Sequence, residues 1–186
     1  DENGAVNADD IARALTDETL AVSVMHVNNE TGVVQPLDEI AAALASHHAY
    51  LHVDAAQGFG KHLPLLRNPR IDMISLSGHK IYAPKGIGAL VTRRRGNNER
   101  PPLTPLFYGG GQERGLRPGT LPVALIAGLG EAARWALHEH EQRTARAREI
   151  EAGVIGFIAA AGGTVNGNRA RAIPQIVNAS FKGLDS

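Results

Sequence analysis

Short runs rich in Val, Ile and Leu alternate with helix-patterned stretches along the chain, and this alternation restricts the fold more than any other feature. Strands of that composition separated by helices argue for an α/β fold with a mostly parallel sheet. Asn7 is placed to cap a short helix carrying Ile11 and Leu15 four apart on one face. A buried strand is predicted over residues 20–27. Pro36 opens a second helix, with Asp38 and Glu39 in its first turn to suit the helix dipole and Ile40 and Leu44 facing inward. Strands follow over 50–53, 72–76 and 88–92, with Pro64, Pro69, Pro84 and the stretch 101–105 marking connections. A long helical stretch is predicted over 122–161, with Leu125, Leu129, Trp135 or Ala136, Ile150, Val154 and Ile158 inward and a bend at Gly153 or Gly156. Two strands close the chain, at Thr164-Val165 and over 175–181. The long helix reads as a bridge, so residues 1–139 are expected to belong to a large domain and 140–186 to begin a smaller α+β one.

Composition narrows the function. The chain is 43 % apolar and 20 % charged, ordinary for a domain with a core. With 19 basic and 19 acidic residues, it has no surplus positive charge for holding nucleic acid non-specifically, and the Arg93-Arg94-Arg95 run reads as solvated. No apolar run reaches the length of a membrane span and no signal peptide is visible, so a cytoplasmic location is the expectation. Cysteine is absent, which removes disulfides and cysteine-bound metal. The chain begins at Asp1 rather than Met and stops just after a strand-like run. Both ends suggest part of a longer polypeptide.

Functional groups in parallel sheets gather at the carboxyl ends of strands, and three such ends here are unusually polar. The first carries His26, Asn28, Asn29 and Glu30. The second carries His52, Asp54 and Gln57, and the third Ser75, Ser77, His79 and Lys80. Lys80 is either an ordinary surface lysine or, in a tight turn leaving a buried strand, an amine desolvated enough to attack an aldehyde. Asp54 fits a helix cap or turn as well as a carboxylate facing a pyridinium nitrogen, and spacing does not separate the two. The Gly- and Arg-rich stretch from Tyr108 to Thr120 is a flexible loop or an anion site, with Thr120 expected at the start of the long helix. His47, His48 and His52 do not form a metal pattern. His47 and His48 suit a helix end, and no metal is expected. His138 and His140 are expected to face solvent. Gly86-Ile87-Gly88 is too short for a dinucleotide motif, and the sequons at Asn29 and Asn178 lack a secretory context.

Four stretches then resemble one family. Met25-His26-Val27-Asn28-Asn29-Glu30-Thr31-Gly32, His52-Val53-Asp54-Ala55-Ala56-Gln57, Ser77-Gly78-His79-Lys80 and Gly109-Gly110-Gly111-Gln112-Glu113-Arg114-Gly115 resemble the pyridoxal-phosphate-dependent cysteine desulfurases of the class V aminotransferase group. The resemblance runs in matching order from about Asn3 to Phe181 and implies the aspartate-aminotransferase type of fold with pyridoxal 5'-phosphate as cofactor. By position, Lys80 matches the Schiff-base lysine, Asp54 the partner of the ring nitrogen and Gln57 the donor to the phenolic oxygen. Asn29 matches a residue beside the ring, and Ser77 and His79 match phosphate ligands. Thr120 matches a threonine reaching the phosphate in the other subunit, which implies a homodimer. The substrate implied is L-cysteine, converted to L-alanine while sulfur passes to an enzyme cysteine and then to a sulfur-acceptor protein.

The chain also departs from that pattern. It holds no cysteine to accept sulfur. In the family that cysteine and the substrate-binding arginine lie beyond the position of Ser186, and the ring-stacking histidine lies before that of Asp1. Two rival readings remain: a class V aminotransferase or selenocysteine lyase, and a non-catalytic truncated scaffold. The sulfur destination is open among iron–sulfur clusters, tRNA and phosphorothioated DNA. The stretch from Asp54 to Lys61 and Arg117-Pro118 resemble the DNA-phosphorothioation type.

Overall fold

The computed structural model describes residues 3–96 and 98–184. Four strands form one sheet in the order β1 (Ala21–Met25), β2 (Tyr50–Asp54), β3 (Met73–Ser77) and β4 (Gly88–Thr92). The first three are parallel, whereas β4 returns antiparallel to β3. Side chains alternate across a strand, which gives this sheet two unlike faces. Val24, Leu51, Val53 and Ile74 point into a core shared with Leu37, Ile40 and Leu44 of helix α2 (Leu37–Ala43) and the residues around it. Burying each such side chain contributes roughly 1.5–3 kcal/mol. Ser23, His52, Asp54, Ser75 and Ser77 occupy the other face. Helix α1 (Ala8–Ala14) starts as its sequence suggests: the Asn7 carboxamide accepts from the Asp9 N–H at 2.8 Å, and Ile11 and Leu15 pack against the core.

The first strand is shorter than expected. Leu20 is largely exposed and His26 lies past the end, because the ladder with β2 stops at Met25 opposite Asp54. The predicted long helix is two, α3 (Val123–His138) and α4 (His140–Ala160), and the break falls at Glu139, not at Gly153 or Gly156. Glu139 leaves the helical region at φ −98°, ψ 8°. The glycines cost helix propensity of only about 1 kcal/mol each, so packing decides, and here α3 packs its buried Ala136 near the turn Gly78–Ile81. Trp135, Ile150 and Val154 are exposed rather than inward; Ile158 is buried. Strands β5 (Thr164–Asn166) and β6 (Asn178–Ser180) form a separate antiparallel pair. The final strand is three residues long because its partner is no longer. No helix among the described residues is long and apolar enough to cross a membrane.

Of the arginine run, Arg94 is exposed as the sequence suggests, but Arg93 and Arg95 are not free in solvent. Arg93 donates to the carbonyls of Leu66 (2.7 Å) and Asn68, and Arg95 donates to the carbonyls of His48 and Ala49. Arg95 and Arg70 converge on Asp72, a buried carboxylate that also accepts from the Leu51 N–H at 2.7 Å. Burial alone would raise the Asp72 pKa. The Arg95 and Leu51 hydrogen bonds and the two guanidinium charges outweigh it, so the carboxyl lies below its ordinary value. A depressed carboxylate contributes stability that is present above the unfolded-state pKa and fades as pH falls through the folded one. Asp72→Ala should therefore destabilise the protein by about 3 kcal/mol at neutral pH, since it strands two partly buried arginines. Urea unfolding measured at pH 7 and again below pH ~4 should show that penalty shrink in acid. An equal penalty at both pH values would contradict the assignment.

Candidate active site

The register of the parallel strands sets the site. Met25 lies opposite Asp54 and Asp54 opposite Ser75, which brings the carboxyl ends of β1, β2 and β3 together. The Asp54 Oδ1 accepts from the Ala56 N–H at 2.9 Å, the turn geometry that sequence left as one of two readings. Its other oxygen takes no hydrogen bond from the described residues, and the side chain is exposed, so the turn role and a cation-facing role coexist.

Lys80 follows in the turn Gly78–Ile81, directly after β3, and is half-buried. Beside it opens a cavity of about 530 Å³ whose walls include Gly60, Lys61, Tyr82, Glu139, His140 and Arg143. Asp54, Ser77 and His79 do not line it. Ser77 is half-buried at the end of β3, and His79 is exposed on the turn. Lys61 carries no weight of its own in the sequence reading, yet its Nζ donates to Gln57 Oε1 at 3.1 Å. Burial pushes the Lys61 amine below its ordinary value, and the nearby Lys80 charge adds to that. The legible signal was the four-residue spacing from Gln57 to Lys61. Tyr82, in the left-handed region at φ 69° with Arg143 over its ring, gave no such signal.

Asn29 is exposed in the turn over residues 28–32, next to Asn28, whose Oδ1 accepts from the N–H groups of Glu30 and Thr31, each at 2.9 Å. Thr120 is also exposed, but it does not start the long helix. That helix begins at Val123 after Pro122, leaving Thr120 in the preceding loop without the helix-end amides expected there. The loop is fixed in part by Gln112 Oε1, which accepts from the Gly119 N–H at 3.0 Å.

Two strand-end histidines are engaged by neighbouring side chains. His52 bridges three strands, its Nδ1 2.8 Å from Ser23 Oγ and its Nε2 3.2 Å from Ser75 Oγ. His26 is fully buried, so the polar reading of the first strand end rests on Asn28 and Asn29. His47 and His48 stack on each other, and His47 Nδ1 accepts from the Ala49 N–H, a local turn role. His140 does not face solvent as expected: its Nδ1 is buried and its ring lies near His62.

The family model for Aminotransferase class-V matches residues 1–186. A cysteine desulfurase, mitochondrial, of Eremothecium gossypii is 46% identical over 182 residues, covering 97% of this chain and 36% of that protein. The cysteine desulfurase IscS of Rickettsia bellii is 45% identical over 186 residues, covering 98% of this chain and 44% of its own length. The crystal structure of DndA from Streptomyces lividans superposes with a TM-score of 0.95 at 51% identity, covering all of this chain and 52% of that one. The chain thus spans between about a third and a half of the relatives it matches.

Proteins of this family depend on pyridoxal phosphate. The donors present fit that group: a half-buried amine, an exposed carboxylate with an open oxygen, and a carboxamide oriented by Lys61. A hydroxyl and an imidazole stand at the neighbouring strand end.

Behind these residues stands His26. Its Nε2 lies 3.2 Å from His62 Nδ1, and its Nδ1 is buried without a partner. Gly58 leaves room for the ring, since a Cβ there would run into His26 Nδ1. Burial, aided by the charge of His62, lowers the His26 pKa to about 4. The unfolded chain, with an ordinary histidine, binds the proton first, so stability falls as pH drops from about 6.5 towards 4. Between pH 7 and pH 5 this group should remove about 2 kcal/mol of stability. His26→Gln should flatten that decline in urea midpoints. An unchanged pH slope would assign the acid sensitivity elsewhere.

Proposed function

The chain belongs to the class-V aminotransferases, and on that footing we propose that it is the cofactor-bearing part of a cysteine desulfurase that converts L-cysteine to L-alanine. The observation that carries this reading is that Asp54 and Ser77 end two adjacent parallel strands, with Gln57, His79 and Lys80 in the segments that leave them.

Bound there, pyridoxal phosphate would draw electrons from the substrate carbons. Lys80 would hold the cofactor through its Nζ and would then serve as general acid and base. The open Asp54 oxygen would be the partner of the ring nitrogen. Because Lys61 occupies Gln57 Oε1, the Gln57 amide presents its N–H₂ outward, ready to donate to the phenolic oxygen. Ser77 and His79 would hold the phosphate, and Asn29 would stand beside the ring. Thr120, exposed on its loop, would reach the phosphate of a second copy, which makes the enzyme a homodimer. An attacking thiolate would bond to the substrate sulfur to form a persulfide. As it does so, the carbon–sulfur bond would break with its electron pair left on the carbon, which takes up a proton to become the methyl of alanine. These 186 residues contain no cysteine, so that thiolate is assigned to another part of the whole protein, which hands the sulfur to an acceptor protein. Residues 1–139 are assigned to the large domain and 140–186 to the start of the small one, consistent with the break at Glu139. Within the desulfurases, the stretch from Asp54 to Lys61 and Arg117-Pro118 favour the DNA-phosphorothioation type.

In the full-length protein, Lys80→Ala should reduce alanine formation from L-cysteine by about 10³-fold or more. Borohydride reduction of the wild type followed by peptide mapping should place the cofactor on Lys80. A label on Lys61 instead would overturn the site.

A further inference from the structure

We propose that Arg169 is a positioning residue for Asn29, acting through the turn over residues 28–32; the inference rests on the reading of Asn29 as a cofactor-side residue. Arg169 sits in the short turn Arg169–Arg171, far along the chain from Asn29. Its Nη1 donates to the Thr31 carbonyl at 3.1 Å and the Ile176 carbonyl at 2.8 Å. Its Nη2 donates to the Ile173 carbonyl at 3.2 Å and to the Glu151 carboxylate of α4. One guanidinium therefore ties together the turn, the 169–176 segment and the interior of a long helix. Only the planar fork of arginine reaches so many acceptors at fixed angles.

The site is built rather than incidental. The Arg169 and Glu151 side chains are 20% and 17% exposed. Burial pushes the Arg169 guanidinium below its ordinary value, and its Nε is buried without a partner. Holding a cation there costs solvation, which the carbonyl contacts and Glu151 offset. The segment that carries Arg169 is also laced to the turn by backbone. The Ile173 N–H donates to the Gly32 carbonyl at 2.9 Å, and the Val34 N–H to the Arg171 carbonyl at 2.7 Å. Gly32, at φ 75°, lies so close that an added Cβ would come within 3.0 Å of Ile176 Cβ.

On its other side the turn is held by Asn28, which accepts from Glu30 and Thr31 and takes the Gly32 N–H on its own carbonyl at 3.0 Å. Asn29 is the residue between these two anchorages. It makes no side-chain hydrogen bond among the described residues, so its direction follows from the backbone on either side. Displacing the Thr31 carbonyl from Arg169 frees one anchorage and lets Asn29 swing away from the cofactor.

The test uses the full-length protein with Arg169→Met, Asn29→Ala and the double variant. Three quantities are read: the dissociation constant for pyridoxal phosphate, hydrogen exchange at the amides of residues 31–34 in the apo-protein, and the melting temperature. Arg169→Met should weaken cofactor binding about tenfold and speed exchange in the turn, while the double variant binds no more weakly than Asn29→Ala alone. Arg169→Lys retains the charge opposite Glu151 but not the fork, and should recover melting temperature without recovering cofactor affinity. If Arg169→Met does not fold, Glu151→Gln, which loosens the same guanidinium, should show the same weaker binding and faster exchange. Unchanged affinity in a folded Arg169→Met or Glu151→Gln protein, or fully additive losses in the double variant, would overturn the proposal. Unchanged affinity in Asn29→Ala would instead remove the reading of Asn29 itself, a separate outcome from an effect missing only at Arg169.

Discussion

Everything at the site depends on the parallel pairing of β1, β2 and β3. Once Met25, Asp54 and Ser75 are held at one level, side-chain alternation assigns each neighbour to the core or to the open face without further choice. A slip of one residue in β2 would send Asp54 into the hydrocarbon of Leu37 and Ile40 and bring Val53 out. The apolar core is thus what aims the polar groups. The buried Asp72, joined to Arg70 and Arg95, defends the same register from the strands' other end.

The parts of this arrangement that sequence made legible are those fixed by local periodicity. The strand at Gly88 to Thr92, the Asn7 cap and the helix opened by Pro36 lie where pattern placed them. Lys80 and Asp54 stood out because a charged residue at the tip of an apolar run conflicts with its surroundings. What failed was long-range. His26 and His140 look like any polar residue in the one-dimensional text, and their burial comes from elements far apart in sequence. Arg93 and Arg95 read as surface charge because most of their acceptors are backbone carbonyls, which carry no letter of their own, and Asp72 lies more than twenty residues away in sequence. The helix break at Glu139 was misplaced for the same reason: glycine content is visible, whereas the seat for Ala136 is not.

The site also divides its labour. Asp54, Gln57, Ser77 and Lys80 stand on strand ends or on turns leaving them, rigid elements suited to holding a ring and its substituents. Asn29 and Thr120 stand on loops, one braced by Arg169 and the other by Gln112. Residues of the second kind are the ones that a change elsewhere in the molecule can move.

The bond between Arg169 and Thr31 spans 138 positions. Closing so long a loop costs entropy before any contact repays it, and contacts of this separation form late in folding. The three parallel strands and helices α1 and α2 lie within residues 8–77, all made before Arg169. The Thr31 carbonyl gains the Arg169 contact only once Arg169 has been made and folded back, so this brace on the turn is added after the strands it follows.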